Sequence, residues 1–244
     1  MKIYTHIIYA VALIGGLALF LSCSNDDNPA SDPSTPIAWS DGVLPGCFSV
    51  NAEGQQVQFS QGNLQYRASS CTWRFAEHQY NVVGDATVGN VYENGVKCNN
   101  EAISNDYDGW IDLFGWGTGS TPTLSVTDTQ QYLTYHEWGK NTIQTSTCAG
   151  WRTLTNEEYV YLFHDRANAA TLFGLGSVNG MNGVILLPDN WSTPVGLSFT
   201  ASTTRGLEWN GTMAGGISGN SKRLHPQSDG DLYYGDCVRL VKDK

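Results

Sequence analysis

The stretch Asn105-Asp106-Tyr107-Asp108-Gly109-Trp110-Ile111-Asp112 sets three carboxylates around one glycine, and Trp116 follows shortly after. Oxygen-rich acidic turns of this kind suit calcium, a hard cation that takes carboxylate and carbonyl ligands. Asp106, Asp108 and Asp112 are therefore the candidate calcium ligands. The spacing does not complete an EF-hand loop, because Gly115 stands where the bidentate acid belongs. Asp106 and Asp108 could also act as paired acid and base in glycoside cleavage, a chemistry that demands a set separation across a cleft. The indoles suggest a different use. Trp110 and Trp116, both flanked by glycine, can stack on a sugar or another flat ligand, with Asp112 bonding its polar groups. The competing reading makes Trp110, Phe114, Trp116, Tyr132, Tyr135 and Trp138 core residues of a loop-rich fold. Trp110, Asp112, Phe114 and Trp116 could share one strand face, although a carboxylate in that row opposes full burial.

No other cluster states a reaction. His78, His136, His164 and His225 are scattered without ligand spacing, and no G-x-S-x-G elbow exists for a nucleophilic serine. Gly174-Leu175-Gly176 does not precede a helix, so it is no phosphate cradle. The cysteines lack any C-x-x-C, which argues against zinc.

The elements that must position these residues are short. The chain is rich in Gly, Tyr and Trp and carries a net charge of −10, a balance that favours strands and turns and repels nucleic acid. Gln55–Ser60, Leu64–Arg67 and Thr72–Phe75 alternate polar with apolar residues and predict an antiparallel meander. One helix is predicted from Thr155, which can cap it with Glu158 three residues on, and Tyr159, Leu162, Phe163 and Arg166 follow at helical spacing. Gly180–Gly183 reads as a turn into a buried strand, Val184–Leu187, and Cys237–Val241 as the last strand. The helix should pack Tyr159, Leu162 and Phe163 onto a sheet holding both of those strands. The segment 84–131 is irregular but too aromatic to be a linker.

At the other end, Ile7–Leu21 is almost wholly apolar and shorter than the ~20 residues of a membrane span. Leu21-Ser22-Cys23 follows and resembles the lipobox of bacterial lipoproteins. That resemblance implies a signal peptide over 1–22, cleavage before Cys23, and lipidation of Cys23. Cleavage would remove Lys2 and no acid, leaving 12 basic against 23 acidic residues, a charge of −11. The membrane partner would then be met through lipid chains and not a basic patch. Residues 23–40 hold prolines, aspartates and small polar residues and read as a tether, with Asp26-Asp27 resembling the surface-export signal of Bacteroidetes lipoproteins. Outside the cytoplasm, Cys47, Cys71, Cys98, Cys148 and Cys237 can form one or two bridges and leave a buried thiol.

The domain over 41–244 carries a further likeness. Trp151–Tyr161 resembles the R-L-P-T-E-A-E-W-E-Y stretch of the formylglycine-generating enzyme/sulfatase-modifying-factor family, with Arg152, Thr155, Glu158 and Tyr161 matching and Tyr159 and Val160 departing. Gly235–Val241 resembles that family's closing G-F-R-L-V strand. Gly62–Tyr66, Trp73–Phe75, Gly109–Gly117 and Asn179–Trp191 are similar to segments of Bacteroides-type surface lipoproteins. The resemblance implies an α+β, C-type-lectin-like fold, strand- and loop-rich with one or two helices. The family's catalytic cysteines are not matched. Trp209-Asn210-Gly211 lacks the aspartate of the lectin W-N-D pattern, and Pro188-Asp189-Asn190 departs from E-P-N. The sequence thus points to a lipid-anchored outer-membrane protein, exposed at the cell surface, that binds a glycan or protein without catalysis. An enzyme of the same fold and a purely structural envelope protein are the rivals.

Overall fold

A computed structural model describes residues 40–81, 83, 103–115, 117–123, 135–178, 181–191, 208–210, 220–223 and 237–244. The expected signal peptide and, apart from Ser40, the expected tether with Cys23 lie outside the described residues, as do Cys98, Trp116, Tyr132 and His225. The described architecture is α+β and strand-rich. Eleven short strands are β1 (Phe48–Ser49), β2 (Gln56–Phe59), β3 (Leu64–Arg67), β4 (Thr72–Phe75), β5 (Trp110–Ile111), β6 (Trp151–Arg152), β7 (Phe173–Val178), β8 (Met181–Leu186), β9 (Glu208–Asn210), β10 (Asn220–Arg223) and β11 (Val241–Asp243). The one α-helix, α1 (Asn156–Val160), runs on as a π-turn over Tyr161–Asp165.

The strands form a four-stranded sheet β1-β2-β11-β6, a three-stranded sheet β4-β3-β5, and the hairpins β7-β8 and β9-β10. All the strand pairs are antiparallel. The predicted strands 64–67 and 72–75 are found at those bounds, and 55–60 shortens to 56–59. They do not make one meander. β2 and β3 belong to different sheets, because the connection between them, residues 60–63, folds inward with Ser60 and Asn63 fully buried.

Each sheet backs one apolar cluster. Phe48, Val57 and Phe59 from the four-stranded sheet meet Tyr159, Leu162 and Phe163 from the helical segment, with Phe173 and Leu186 from the β7-β8 hairpin and Val241 from β11. The helix therefore buries the predicted residues. It starts as predicted: the Thr155 hydroxyl accepts from Glu158 N and the Glu158 carboxylate accepts from Thr155 N. Two expectations need correction. Val184–Leu187 pairs within β7-β8 and not in the sheet of the last strand, and that strand is Val241–Asp243 and not 237–241. Residues 237–240 are buried on every side and bridge the two sheets, with Leu240 O accepting from Ser60 N and Val238 O from Leu64 N. A segment enclosed in this way shares its backbone bonds between two strands and cannot continue one regular ladder.

The second cluster packs Tyr66, Trp73 and Phe75 from the inner face of β4-β3-β5 against Ile111, Phe114, Trp138 and Trp151. Trp73 lies 4.7 Å from the Tyr66 ring and 5.4 Å from that of Phe114. No disulfide joins Cys47, Cys71, Cys148 or Cys237, so the predicted bridges do not form among the described residues; Cys237 is buried.

Candidate functional site

The outer face of the three-stranded sheet holds the site. Strand alternation sends Leu64, Tyr66, Trp73, Phe75 and Ile111 inward and leaves Gln65, Arg67, Thr72, Arg74 and Trp110 on the other face. The register then brings the second set together. Arg67 lies opposite both Thr72 and Trp110, and Gln65 lies opposite Arg74. The Arg74 guanidinium carbon sits 3.8 Å from the centroid of the Trp110 ring and that of Arg67 sits 4.4 Å from it. Both are cation–π contacts, in which the negative face of the indole attracts the planar cation. Arg74 Nε donates to Gln65 Oε1 at 2.8 Å. Burial and the neighbouring Arg67 charge hold the Arg74 pKa below its ordinary value, with Glu77 partly offsetting them.

Trp110 is thus half-buried, and its two neighbours are cations and not the carboxylates of the adjoining turn. The close approach expected at Gly109 is real but internal. A Cβ there would lie 2.1 Å from the Tyr107 hydroxyl, so the glycine makes room for Tyr107. The three aspartates separate. Asp106 is fully exposed and accepts from the Ser104 hydroxyl, which holds its carboxyl below the usual range. Asp108 is exposed; it accepts from Ser69 Oγ at 2.8 Å and pairs with Arg67 Nε at 3.9 Å. Asp112 is fully buried and accepts from Val83 N at 2.8 Å. Asp112 therefore does not face a ligand beside Trp110. No group of three or more His, Cys, Asp or Glu residues is placed to hold a metal among the described residues. The expected row of alternating residues also breaks, because β5 ends at Ile111 and Leu113 and Phe114 are both buried.

The rest of the aromatic stretch divides. Phe114 and Trp138 are core. Tyr135 is 41% exposed and bonds Glu137 Oε2 at 2.9 Å, and burial of its hydroxyl together with the Glu137 charge pushes its pKa far up. An open groove of about 580 Å³ lies elsewhere, between the β1-β2 turn and α1, and is lined by Asn51, Glu157, Glu158, Tyr161 and Asp165. None of the predicted site residues borders it.

Arg67 and Arg74 were not among the residues the sequence singled out. A signal for them was present. Two four-residue alternating strands joined by a short turn make a hairpin, and its pairing puts Gln65, Arg67, Thr72 and Arg74 on one face. Compared with family models, with curated proteins and with solved structures, the chain finds no match.

Proposed function

We propose that the chain is a non-catalytic binding module for glycans, held at the outer membrane by lipid on Cys23 and displayed at the cell surface on its 23–40 tether. The domain reads as a C-type-lectin-like fold of the formylglycine-generating-enzyme kind without that family's catalytic cysteines. The observation that carries the binding role is Trp110: a large indole on the outer face of a sheet whose inner face is core, only half-buried and surrounded by hydrogen-bond donors. A sugar bound there would give its oxygens to the guanidinium donors over the ring and pack on the ring surface they leave open. Support for the anchor comes from the Leu21-Ser22-Cys23 junction and the polar segment after it.

A glycan array probed with the detergent-solubilised chain tests the binding role. Wild-type protein should retain a subset of glycans, and Trp110→Ala should lose them while its melting temperature stays near that of the parent. Equal retention by both proteins would remove Trp110 from the site. In cells fed labelled palmitate, Cys23→Ala should take up no label; undiminished labelling would place the lipid elsewhere.

A further inference from the structure

We infer that the outer face of β4-β3-β5 takes an acidic glycan, a sugar chain bearing carboxylate or sulfate groups, with Arg67 and Arg74 as its anion donors and Trp110 as the ring that holds both guanidiniums in place. The inference rests on the binding role proposed above and names the chemistry of its ligand.

The argument begins with what the two cations lack. Arg74 spends its Nε on Gln65, and no acceptor among the described residues takes its terminal nitrogens. Arg67 Nε has no hydrogen-bond partner, and its ion pair with Asp108 is stretched to 3.9 Å. Asp108 is largely in water and is already engaged by Ser69. Two like charges on one indole repel each other, so stacking and strand register hold the pair, with the long Asp108 contact and the nearby Glu77 as their counter-charges. An oxyanion placed between them would relieve that repulsion and accept from their terminal nitrogens, the Arg67 Nε being buried out of its reach. A guanidinium already held over a ring carries its N–H donors in the fork that carboxylate and sulfate oxygens match, and less side-chain freedom remains to be lost on binding.

The surroundings select the class of anion. The chain carries a net charge of −10, which repels every long polyanion, so retention of one must come from the local pair of guanidiniums and fall with rising salt. A partner protein would want an apolar centre to its interface, and Tyr135 is the one exposed large hydrophobic residue among those described. The site is a polar sheet face, with the exposed Ser70 bonded to Thr72 along its edge and the open groove elsewhere. Sugar hydroxyls and an acidic group suit such a face; an apolar side chain does not.

The test is retention of the full-length, detergent-solubilised protein on immobilised polymers. Heparin presents sulfate, polygalacturonate presents carboxylate alone, dextran is neutral, and polyglutamate is an acidic peptide. Wild-type protein should bind heparin, polygalacturonate or both, release with rising salt, and bind polyglutamate more weakly. The two polysaccharide arms separate sulfate from carboxylate. The Arg67→Gln/Arg74→Gln double variant should lose roughly tenfold or more in retention, because two charge-assisted contacts go. If that variant does not fold, Asp108→Asn reads the same charge from the other side: it releases Arg67 from its carboxylate and should tighten retention severalfold. Unchanged retention in either variant overturns the inference, as does tighter binding to polyglutamate, which would assign an acidic peptide. Failure of the wild-type protein to bind either acidic polysaccharide, with a neutral glycan still held through Trp110, would defeat the inference and leave the binding role standing. Retention of no glycan at all would defeat both.

Discussion

Arg166 and Arg239 are buried, whereas Arg67 and Arg74 lie on an outer sheet face, and the two pairs treat their charge in opposite ways. The Arg166 side chain is 1% exposed; its Nη1 donates to Asp189 Oδ1 at 3.0 Å and its Nη2 to Leu172 O. Asp189 in turn accepts from Ser49 N, Ser49 Oγ and Gln56 Nε2, so one carboxylate ties the π-turn to β1 and β2. Arg239 donates to Asn63 Oδ1 and to the carbonyls of Gln79 and Ser60. Arg239 is a cation surrounded by acceptors of its own protein, as burial demands, and Arg166 has a carboxylate and a carbonyl on its terminal nitrogens although its buried Nε has no hydrogen-bond partner. Arg67 and Arg74 rest on a ring and keep donors unspent. A buried arginine with its acceptors supplied is a structural part. A stacked arginine at the surface without them is open to a ligand.

The comparison breaks most visibly at Asp189. Asp189→Ala strips Arg166 of its only carboxylate partner in that contact set and leaves a buried cation whose pKa burial already draws down to about 10. The expected loss is about 3–5 kcal/mol, as for other severed buried pairs, read as a fall in urea midpoint. A loss below about 1 kcal/mol would mean that water reaches Arg166, and the contrast with Arg67 would dissolve.

The same sheet offers a second contrast, between Trp73 on its inner face and Trp110 on its outer one. Trp73 is 6% exposed and packs on Tyr66 and Phe114. Trp73→Ala should cost about 3–5 kcal/mol. Trp110→Ala gives up two cation–π contacts at a half-buried site, about 1–2 kcal/mol together, and this should be seen in thermal melts as a much smaller shift. Comparable losses would make Trp110 a core residue and remove the reason for assigning it a ligand.

How much of this the sequence could disclose depends on how local the cause is. The Thr155–Glu158 capping box and the strands Leu64–Arg67 and Thr72–Phe75 follow from neighbours within a few residues, and the structure has them at the predicted places. The strand Phe173–Val178 was missed. Its glycines hid the alternation, and the turn was read at Gly180–Gly183 although Met181–Gly183 already lie in β8. The cost of an unpaired carboxylate argues against burying Asp112, but its burial is met by a partner no local pattern announces, Val83 N, 29 residues away. The Arg166–Asp189 pair spans 23 residues with no repeating pattern to announce it. Trp110 meets Arg67 and Arg74 only through the β3-β5 register, which no local periodicity fixes.

A third arginine, Arg152, lies between the two extremes and gives the smallest effect. It makes a bidentate pair with Glu158, both contacts at 2.7 Å, and a further contact from Nη2 to Asp243 Oδ1 at 2.6 Å. The Arg152 guanidinium, followed by a hydrogen bond from Gln55, holds the Asp243 pKa below its ordinary value against a modest opposing effect of burial. The Asp243 side chain is 53% exposed, so solvent screens the pair and its worth stays under about 1 kcal/mol. The sign follows from the direction of the shift. A carboxylate whose folded pKa is depressed adds stability that is fully present above the unfolded value, near 3.9, and is lost as pH falls through the folded one. Asp243→Asn keeps an oxygen for Arg152 and Gln55 but removes the charge. Its urea midpoint should therefore lie slightly below wild type at pH 7, and the gap should narrow when both are measured at a pH below the unfolded value near 3.9. A gap of the same size at both pH values would assign the effect to packing at β11. No gap at pH 7 would show that Glu158 alone satisfies Arg152, placing this arginine with the buried pair held by acceptors of the same protein.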